Sequence, residues 1–457
     1  MGTTRNKLST RLLQMVAVTV LGGLMFAAKR LVHAEHNLGN YDIVAALGLL
    51  LICGTLVGEL LETVRIPHLT AYLAVGVVAG PYVLKLVDHA AVERLQTFNT
   101  LALALIAFAG GAELKLDLVK RSLRSLSASA LTQCVLVFIG ATAVFIAVTP
   151  LLPFARGQAL AIVIGVALLW GVLSITRSPA ATLAILSQTR AQGPLATFSL
   201  AFVMLSDVLV IVIASTVIAL VKPMLDPGAV LSLDSLRHLG HEILGSISLG
   251  TSLGLVMVAY LKFVHRQILV VLVALGFGFT EILNFLNLDP LLTFLVAGFL
   301  IQNLSEQGEK LLHAIEDMGS IVYVIFFATA GAALDIPLLR KLWLVAIILF
   351  LGRVLLTMVA NRLAGRMAGD PPVLKRWGWT GLVAQAGVVL GLAVTIERAF
   401  PKFGPPFRAL AVATVALNQL VGPILFKAAL DLNGETAREP ARSRSSLMPP
   451  PGEPTEA

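Results

Sequence analysis

The chain reads as a succession of long apolar runs separated by short polar segments. Runs long enough to cross a hydrocarbon core of roughly 30 Å, which takes about 20 helical residues, lie near residues 12–28, 42–62, 68–86, 98–115, 124–152, 157–188, 194–221, 240–262, 267–285, 289–304, 311–333, 342–364, 378–397 and 406–429. They predict an all-α polytopic membrane protein with about thirteen transmembrane helices, plus whatever the first run becomes. Arg5, Lys7 and Arg11 precede that run and Val32-His33-Ala34, a small-residue cleavage pattern, follows it, so residues 1–34 read as a signal peptide. Its length and the intervening Lys29-Arg30 fit an uncleaved anchor helix as well, and both readings stay open.

Either reading places Asn40 outside and the C-terminus in the cytoplasm. The inside segments then hold Lys115, Lys120, Arg121 and Arg124, then Arg190, then Lys262 and Arg266, and later Arg362, Arg366, Lys375 and Arg376. This is the positive-inside bias expected in a bacterial inner (plasma) membrane, although Arg398, Lys402 and Arg408 fall outside and weaken it. From residue 431 onward the chain is rich in Pro, Arg, Glu and Ser and too poor in apolar side chains to fold. That composition predicts a disordered cytoplasmic tail over 431–457.

Composition agrees with the membrane reading: 57% of the 457 residues are hydrophobic and 13% charged, about half the roughly 25% charge of a soluble domain. The net charge of +8 does not point to nucleic acid, because Lys and Arg lie between apolar runs and in the tail rather than in one aromatic-interleaved patch. Cys53 and Cys134 both fall inside apolar runs and read as packing residues, implying neither a disulfide framework nor a metal site.

Against this background one charge is anomalous. Asp207 is the sole ionisable residue between Pro194 and Val221. An acid near a bilayer midplane costs roughly 2.5–3.5 kcal/mol on insertion scales, so it marks an ion or proton pathway. Transport is the first functional expectation.

Compared with itself, the chain shows a repeat. The segment from Ile66 to Gly76 (IPHLTAYLAVG) aligns with Leu288 to Gly298 (LDPLLTFLVAG) at an offset of 222, and Phe108 to Arg121 aligns with Ala328 to Lys341 at an offset of 220. The matched spans are an odd number apart and so cross in opposite directions. This predicts inverted-topology repeats over approximately 41–221 and 267–430, an architecture whose substrate site sits near the midplane between repeats.

Such sites are built from broken helices, and each half supplies one. Gly157 to Gln188 would be roughly 48 Å long as one helix, and it is interrupted by Ser174-Ile-Thr-Arg-Ser-Pro-Ala-Ala-Thr182. Pro179 removes a backbone donor, so a break is expected at Thr176, Arg177, Ser178 and Pro179. The counterpart is Leu382 to Gly391, where Gln385 and Gly387 interrupt an apolar span, and half-helix ends there would offer partial charges to an ion.

Together these residues resemble the monovalent cation:proton antiporter superfamily, which covers sodium/proton exchangers and glutathione-gated potassium efflux systems. The resemblance runs from about Tyr41 to Leu430 and rests on an ordered set: Arg65-Ile-Pro, Tyr72 to Pro81, Phe108 to Leu114, Thr176-Arg-Ser-Pro-Ala-Ala-Thr182, Ser206-Asp207 and Phe326 to Leu334. It implies a thirteen-helix fold of two crossed broken helices, with a dimerisation domain and a mobile core that moves as an elevator, in a homodimer. The implied substrates are a proton and a monovalent cation (Na⁺ or K⁺), bound at Asp207 with Ser206 beside it and no cofactor. One carboxylate that holds either a proton or a cation, never both, exchanges them when the site alternates between faces.

Two departures qualify the match. Many relatives carry Asp or Asn before the key aspartate, whereas Ser206 stands here, which favours an electroneutral cycle. Arg177 replaces a neutral or acidic residue, and its guanidinium could act as a surrogate cation, plug the site or cap carbonyls freed at the break. The alternative function is therefore a family-fold carrier or sensor without exchange, with Arg177 occupying the site. Arg353, mid-span, corresponds to an arginine of many exchangers and is expected to form a core ion pair, with Glu281 as one partner. Glu59, Glu62 and Glu113 lie near cytoplasmic helix ends, where interfacial roles are the default. The chain is not expected to be an enzyme: it carries no HExxH, no second intramembrane Asp for a dyad and no phosphate-cradling Gly loop.

Overall fold

The computed structural model describes residues 14–20, 22–24, 41–62, 66–225, 233–264, 268–286, 288–305, 308–385 and 387–436. The cleavage pattern at 32–34 and the tail from 437 lie outside the described residues, as do the side chains of Asp207, Glu113, Glu281 and Arg121. Helical residues at 14–20 and 22–24 mark the first apolar run.

Every regular element among the described residues is helical, and the helices follow the apolar runs. In chain order they are α1 (Tyr41–Glu62), α2 (His68–Ala79), α3 (His89–Glu113), α4 (Leu116–Thr132), α5 (Phe138–Val148), α6 (Leu160–Ser174), α7 (Pro179–Thr189), α8 (Pro194–Leu225), α9 (Leu233–Phe263), α10 (Ile268–Leu286), α11 (Pro290–Leu304), α12 (Gly308–Ala332), α13 (Ile336–Ala368), α14 (Pro372–Trp377), α15 (Gly387–Ala399) and α16 (Gly404–Leu432). A π-helical turn, Gln133–Val137, joins α4 to α5, and a 3₁₀ turn, Gly378–Leu382, follows α14.

Helix ends depart from the apolar runs for local reasons. α3 starts at His89 rather than 98 because the Asp88 carboxylate caps it, accepting from the Ala91 N–H at 2.8 Å. α2 stops at Ala79 because Pro81 keeps the preceding Gly80 extended. The tail boundary expected at 431 falls inside α16, and the chain stays packed to Glu435, which is buried.

Among the described residues six helical stretches are long and apolar enough to cross a membrane, and burial sorts them. The most apolar stretches of Leu160–Thr189 and Gly404–Leu432 are 72% and 61% buried, against 28% for Ser122–Leu151 and Ile243–Phe263. The first pair is therefore interior, while the second turns side chains such as Leu131, Ile139, Leu244 and Val256 outward, as lipid-facing helices do.

Two large apolar cores organise the interior. One gathers α2, α3, α7, α11, α12 and the first half of α8 (Leu195 to Met204). The other gathers α5, α6, α15 and the second half of α8 (Ala214 to Val221). α16 likewise passes from the second core, at Phe407 to Val415, to the first, at Phe426 to Leu430. The break between α6 and α7 lies at the same boundary, and so does the gap before α15.

Helices from distant parts of the chain touch at glycines. A Cβ on Gly76 would stand 2.8 Å from the Ala328 carbonyl carbon, and one on Gly331 would stand 3.0 Å from that of Leu73, so α2 and α12 are in backbone contact. Between α3 and α11, a Cβ on Gly111 would stand 2.9 Å from the Leu295 carbonyl carbon and one on Gly298 would stand 3.1 Å from that of Phe108. Gly111→Ala and Gly331→Ala are each expected to cost about 1–3 kcal/mol by forcing these helices apart. Melting temperatures in detergent check this, with Gly278→Ala, whose added Cβ would meet nothing within 4 Å, as the silent control.

Candidate functional site

Where the two cores meet, the chain places a polar junction. α6 ends at Ser174, residues 175–178 leave the helix, and α7 restarts at Pro179. Pro179 occupies the first helical position, where its missing N–H costs nothing, and the Ser178 hydroxyl caps the helix by accepting from the Ala181 N–H at 3.1 Å. Thr176 and Ser178 are buried, and the Thr176 hydroxyl donates to the Leu173 carbonyl at 2.7 Å. The expected break is present. The second lies between the 3₁₀ turn ending at Leu382 and Gly387, which opens α15.

Carbonyls freed at a helix end inside an apolar core need donors. Arg353, on α13 and 3% exposed, supplies most of them. Its Nε donates to the Ser174 carbonyl (2.8 Å), one terminal nitrogen donates to the Val383 carbonyl (2.7 Å) and to Asn418 Oδ1 (2.8 Å), and the other donates to the carbonyls of Thr176 (2.8 Å) and Leu382 (3.2 Å). All five guanidinium donors are used, by four carbonyls from both breaks and one side-chain amide. Among the described residues its partners are thus carbonyls and an amide, and the Glu281 side chain expected as its ion-pair partner lies outside them.

Gln385 works from the second break onto the first. Its amide nitrogen donates to the carbonyl of Leu173 (2.8 Å), the hydroxyl of Thr176 (2.9 Å) and the carbonyl of Thr176 (3.3 Å), and its oxygen accepts from Asn418 Nδ2 (2.9 Å). Arg177, 2% exposed, donates to the Ile175 carbonyl (2.6 Å) and to Gln133 Oε1 (2.9 Å), and its guanidinium carbon lies 4.9 Å from the centre of the Phe202 ring. Through the first of these bonds it satisfies a carbonyl of the break. The carbonyls released at the two breaks are taken up by Arg353, Arg177 and Gln385.

α8 passes this junction. Phe202 lies under Arg177, and Val210 packs with Ile175 of the break, Val137 and Ala360. Asp207 falls between these two contacts along α8, at the level of the break, and its side chain is outside the described set. The Ser206 hydroxyl is buried and donates to the Val203 carbonyl of its own helix at 2.9 Å. A small cavity of about 10 Å³ adjoins the junction, lined by Trp170, Ser174, Arg353, Gln385 and Thr414 among others.

Sequence reasoning missed two buried members of the junction, Gln133 and Asn418. Each is an amide inside an apolar run, which is a signal, but a weak one. Gln133 opens the π-helical turn, a distortion that recurs at functional sites, and also donates to the Thr357 carbonyl at 3.2 Å.

A helical membrane bundle with two abutting helix breaks and a lone acid at their level defines a secondary transporter. The chain matches the family described as sodium/hydrogen exchanger, transmembrane, over residues 47–431, and belongs to it; it is an integral membrane protein. No curated protein matches it. Among solved structures it is similar to the sodium proton antiporter MjNhaP1 from Methanocaldococcus jannaschii at pH 8, with a TM-score of 0.64 and 18% identity over 86% of this chain and 99% of that one. An electron-microscopy structure of the same antiporter gives a TM-score of 0.68 at 18% identity, over 88% and 100% of the two chains. At that identity the likeness shows the fold.

Arg353→Lys keeps the charge but cannot reach four carbonyls, and is expected to cost on the order of 3 kcal/mol. Asn418→Ala is expected to cost about 1–3 kcal/mol, and the double variant less than the sum because the two share a bond. Melting temperatures of the three variants test the coupling.

Proposed function

We propose that the protein is a monovalent cation:proton antiporter, exchanging Na⁺ or K⁺ for H⁺ by alternating access, with the two ions competing for Asp207. One observation carries this reading: the segments that cross between the two cores do so at one level, and Asp207 is the acid that α8 brings there. The sequences of α6, α7, α13, α15 up to Thr395 and α16 up to Leu430 contribute no carboxylate. Because the break carbonyls are committed to Arg353, Arg177 and Gln385, the charge left to compete for is that of Asp207. Ser206, back-bonded to its own helix, leaves Asp207 a lone carboxylate and favours one-for-one, electroneutral exchange.

The inverted repeats are supported by the glycine contacts. Gly76 and Gly298 correspond at the offset of 222, as do Leu73 and Leu295, while Gly111 and Gly331 correspond at 220, as do Phe108 and Ala328. The α2–α12 contact thus has corresponding positions in the same roles as the α11–α3 contact. A pseudo-two-fold axis between the two halves of a thirteen-span fold would produce such reciprocity. A homodimer in a bacterial inner membrane, with its C-terminus cytoplasmic, completes the proposal.

A second reading has Arg177 occupying the site in a carrier or sensor without exchange, since its guanidinium lies over Phe202 on the helix of Asp207. Its bonds to Ile175 and Gln133 favour support over a plug. Reconstitution in liposomes with an internal pH dye, under Na⁺, K⁺, Li⁺ or Cl⁻ gradients, tests both. Cation-driven proton flux is expected in the wild type and its loss in Asp207→Asn; flux without a cation, or flux indifferent to that substitution, overturns antiport. Arg177→Ser is expected to collapse exchange, and unchanged or faster exchange would identify a plug.

A further inference from the structure

α8 lacks a cap of its own. The residues before it, Ala191-Gln192-Gly193, offer no Ser, Thr, Asp or Asn at the capping position, and its first residue, Pro194, has no N–H. The next two donors, on Leu195 and Ala196, are buried with their residues. Both are satisfied from 240 and 239 positions away: the Leu195 N–H donates to Glu435 Oε1 at 2.9 Å and the Ala196 N–H to Glu435 Oε2 at 2.8 Å. The Glu435 backbone joins in, its carbonyl accepting from the Gln192 N–H at 2.8 Å while its own N–H donates to the Leu430 carbonyl at 3.0 Å. Gly193 leaves room for the carboxylate, because a Cβ there would stand 2.7 Å from Oε2.

The geometry points to Glu435 as a positioning residue for exchange: it caps α8 from the far end of the chain and fixes the axial position of Asp207 against the polar junction. The role rests on the antiporter reading. A carboxylate bridging two adjacent N–H groups at a helix N-terminus is held by charge-assisted bonds and by the helix dipole. Without it two buried donors lose their acceptor, the first turn of α8 loosens, and the helix is no longer tied to the end of α16. Asp207 sits on that same continuous helix, so a slack first turn is felt as a change in how well the site holds its ion.

The test compares the full-length wild type with Glu435→Ala, Glu435→Gln and, as control, Asp431→Asn at the exposed end of α16. Two quantities are read: deuterium uptake by the peptide covering 194–199, and the half-saturating Na⁺ concentration and maximal rate in liposomes. Glu435→Ala is expected to speed exchange of the Leu195 and Ala196 amides about tenfold, the loss of a helix cap, and to raise half-saturating Na⁺ about three- to tenfold with a smaller change in maximal rate. Glu435→Gln, which keeps one acceptor, falls between and carries the test if the alanine variant does not fold; Asp431→Asn matches wild type. Unchanged uptake overturns the cap, and faster uptake with unaltered Na⁺ dependence overturns the positioning role and leaves a structural one. Wild-type protein without exchange overturns the antiporter reading instead, and the uptake measurement still decides the cap.

Discussion

Two interrupted helices can meet inside a membrane protein only if something answers the carbonyls they release, and here most of that work falls to one guanidinium. Arg353 gives all five of its donors to Ser174, Thr176, Leu382, Val383 and Asn418. Each unsatisfied carbonyl in hydrocarbon would cost several kcal/mol, so the breaks and the arginine presuppose each other. The side chain also ties α13 to both breaks and, through Asn418, to α16. Arg177 and Gln385 complete the set, leaving a polar layer between two apolar cores.

The same arrangement defines what the site can offer an ion. In a broken-helix transporter the half-helix ends are themselves ligands in reserve. Here they are neutralised from within the protein, by two cations and an amide. The positive charge of Arg353 rests on the negative ends of helix dipoles, where it is well placed electrostatically, rather than on an acid.

Much of this was legible in the sequence. The apolar runs were readable because a bilayer demands their length, and the first break because Thr-Arg-Ser-Pro combines a proline with side chains that cap. The second was readable from one glutamine and one glycine in an apolar span. Arg353 was visible as a charge, but its carbonyl acceptors were not: a sequence displays countercharges and hides the backbone carbonyls that Arg353 serves. Gln133 and Asn418 were obscure because a single amide in a membrane helix has many uses. Glu435 was hidden twice, by the polar composition around it and by the 240 residues that separate it from the helix it caps.

The distance between the breaks and their donor has a consequence for biogenesis. Ser174 enters the bilayer 179 residues before Arg353 is translated, an interval of roughly 10–40 s at ribosomal speeds. During that time the first interrupted helix stands in lipid or at the translocon with its released carbonyls lacking their eventual donor. The nascent first half is thus an incomplete object that has to be held, by water or by the insertion machinery, until α13 arrives. The polar layer closes last, and membrane insertion and folding of this chain are separate events in time.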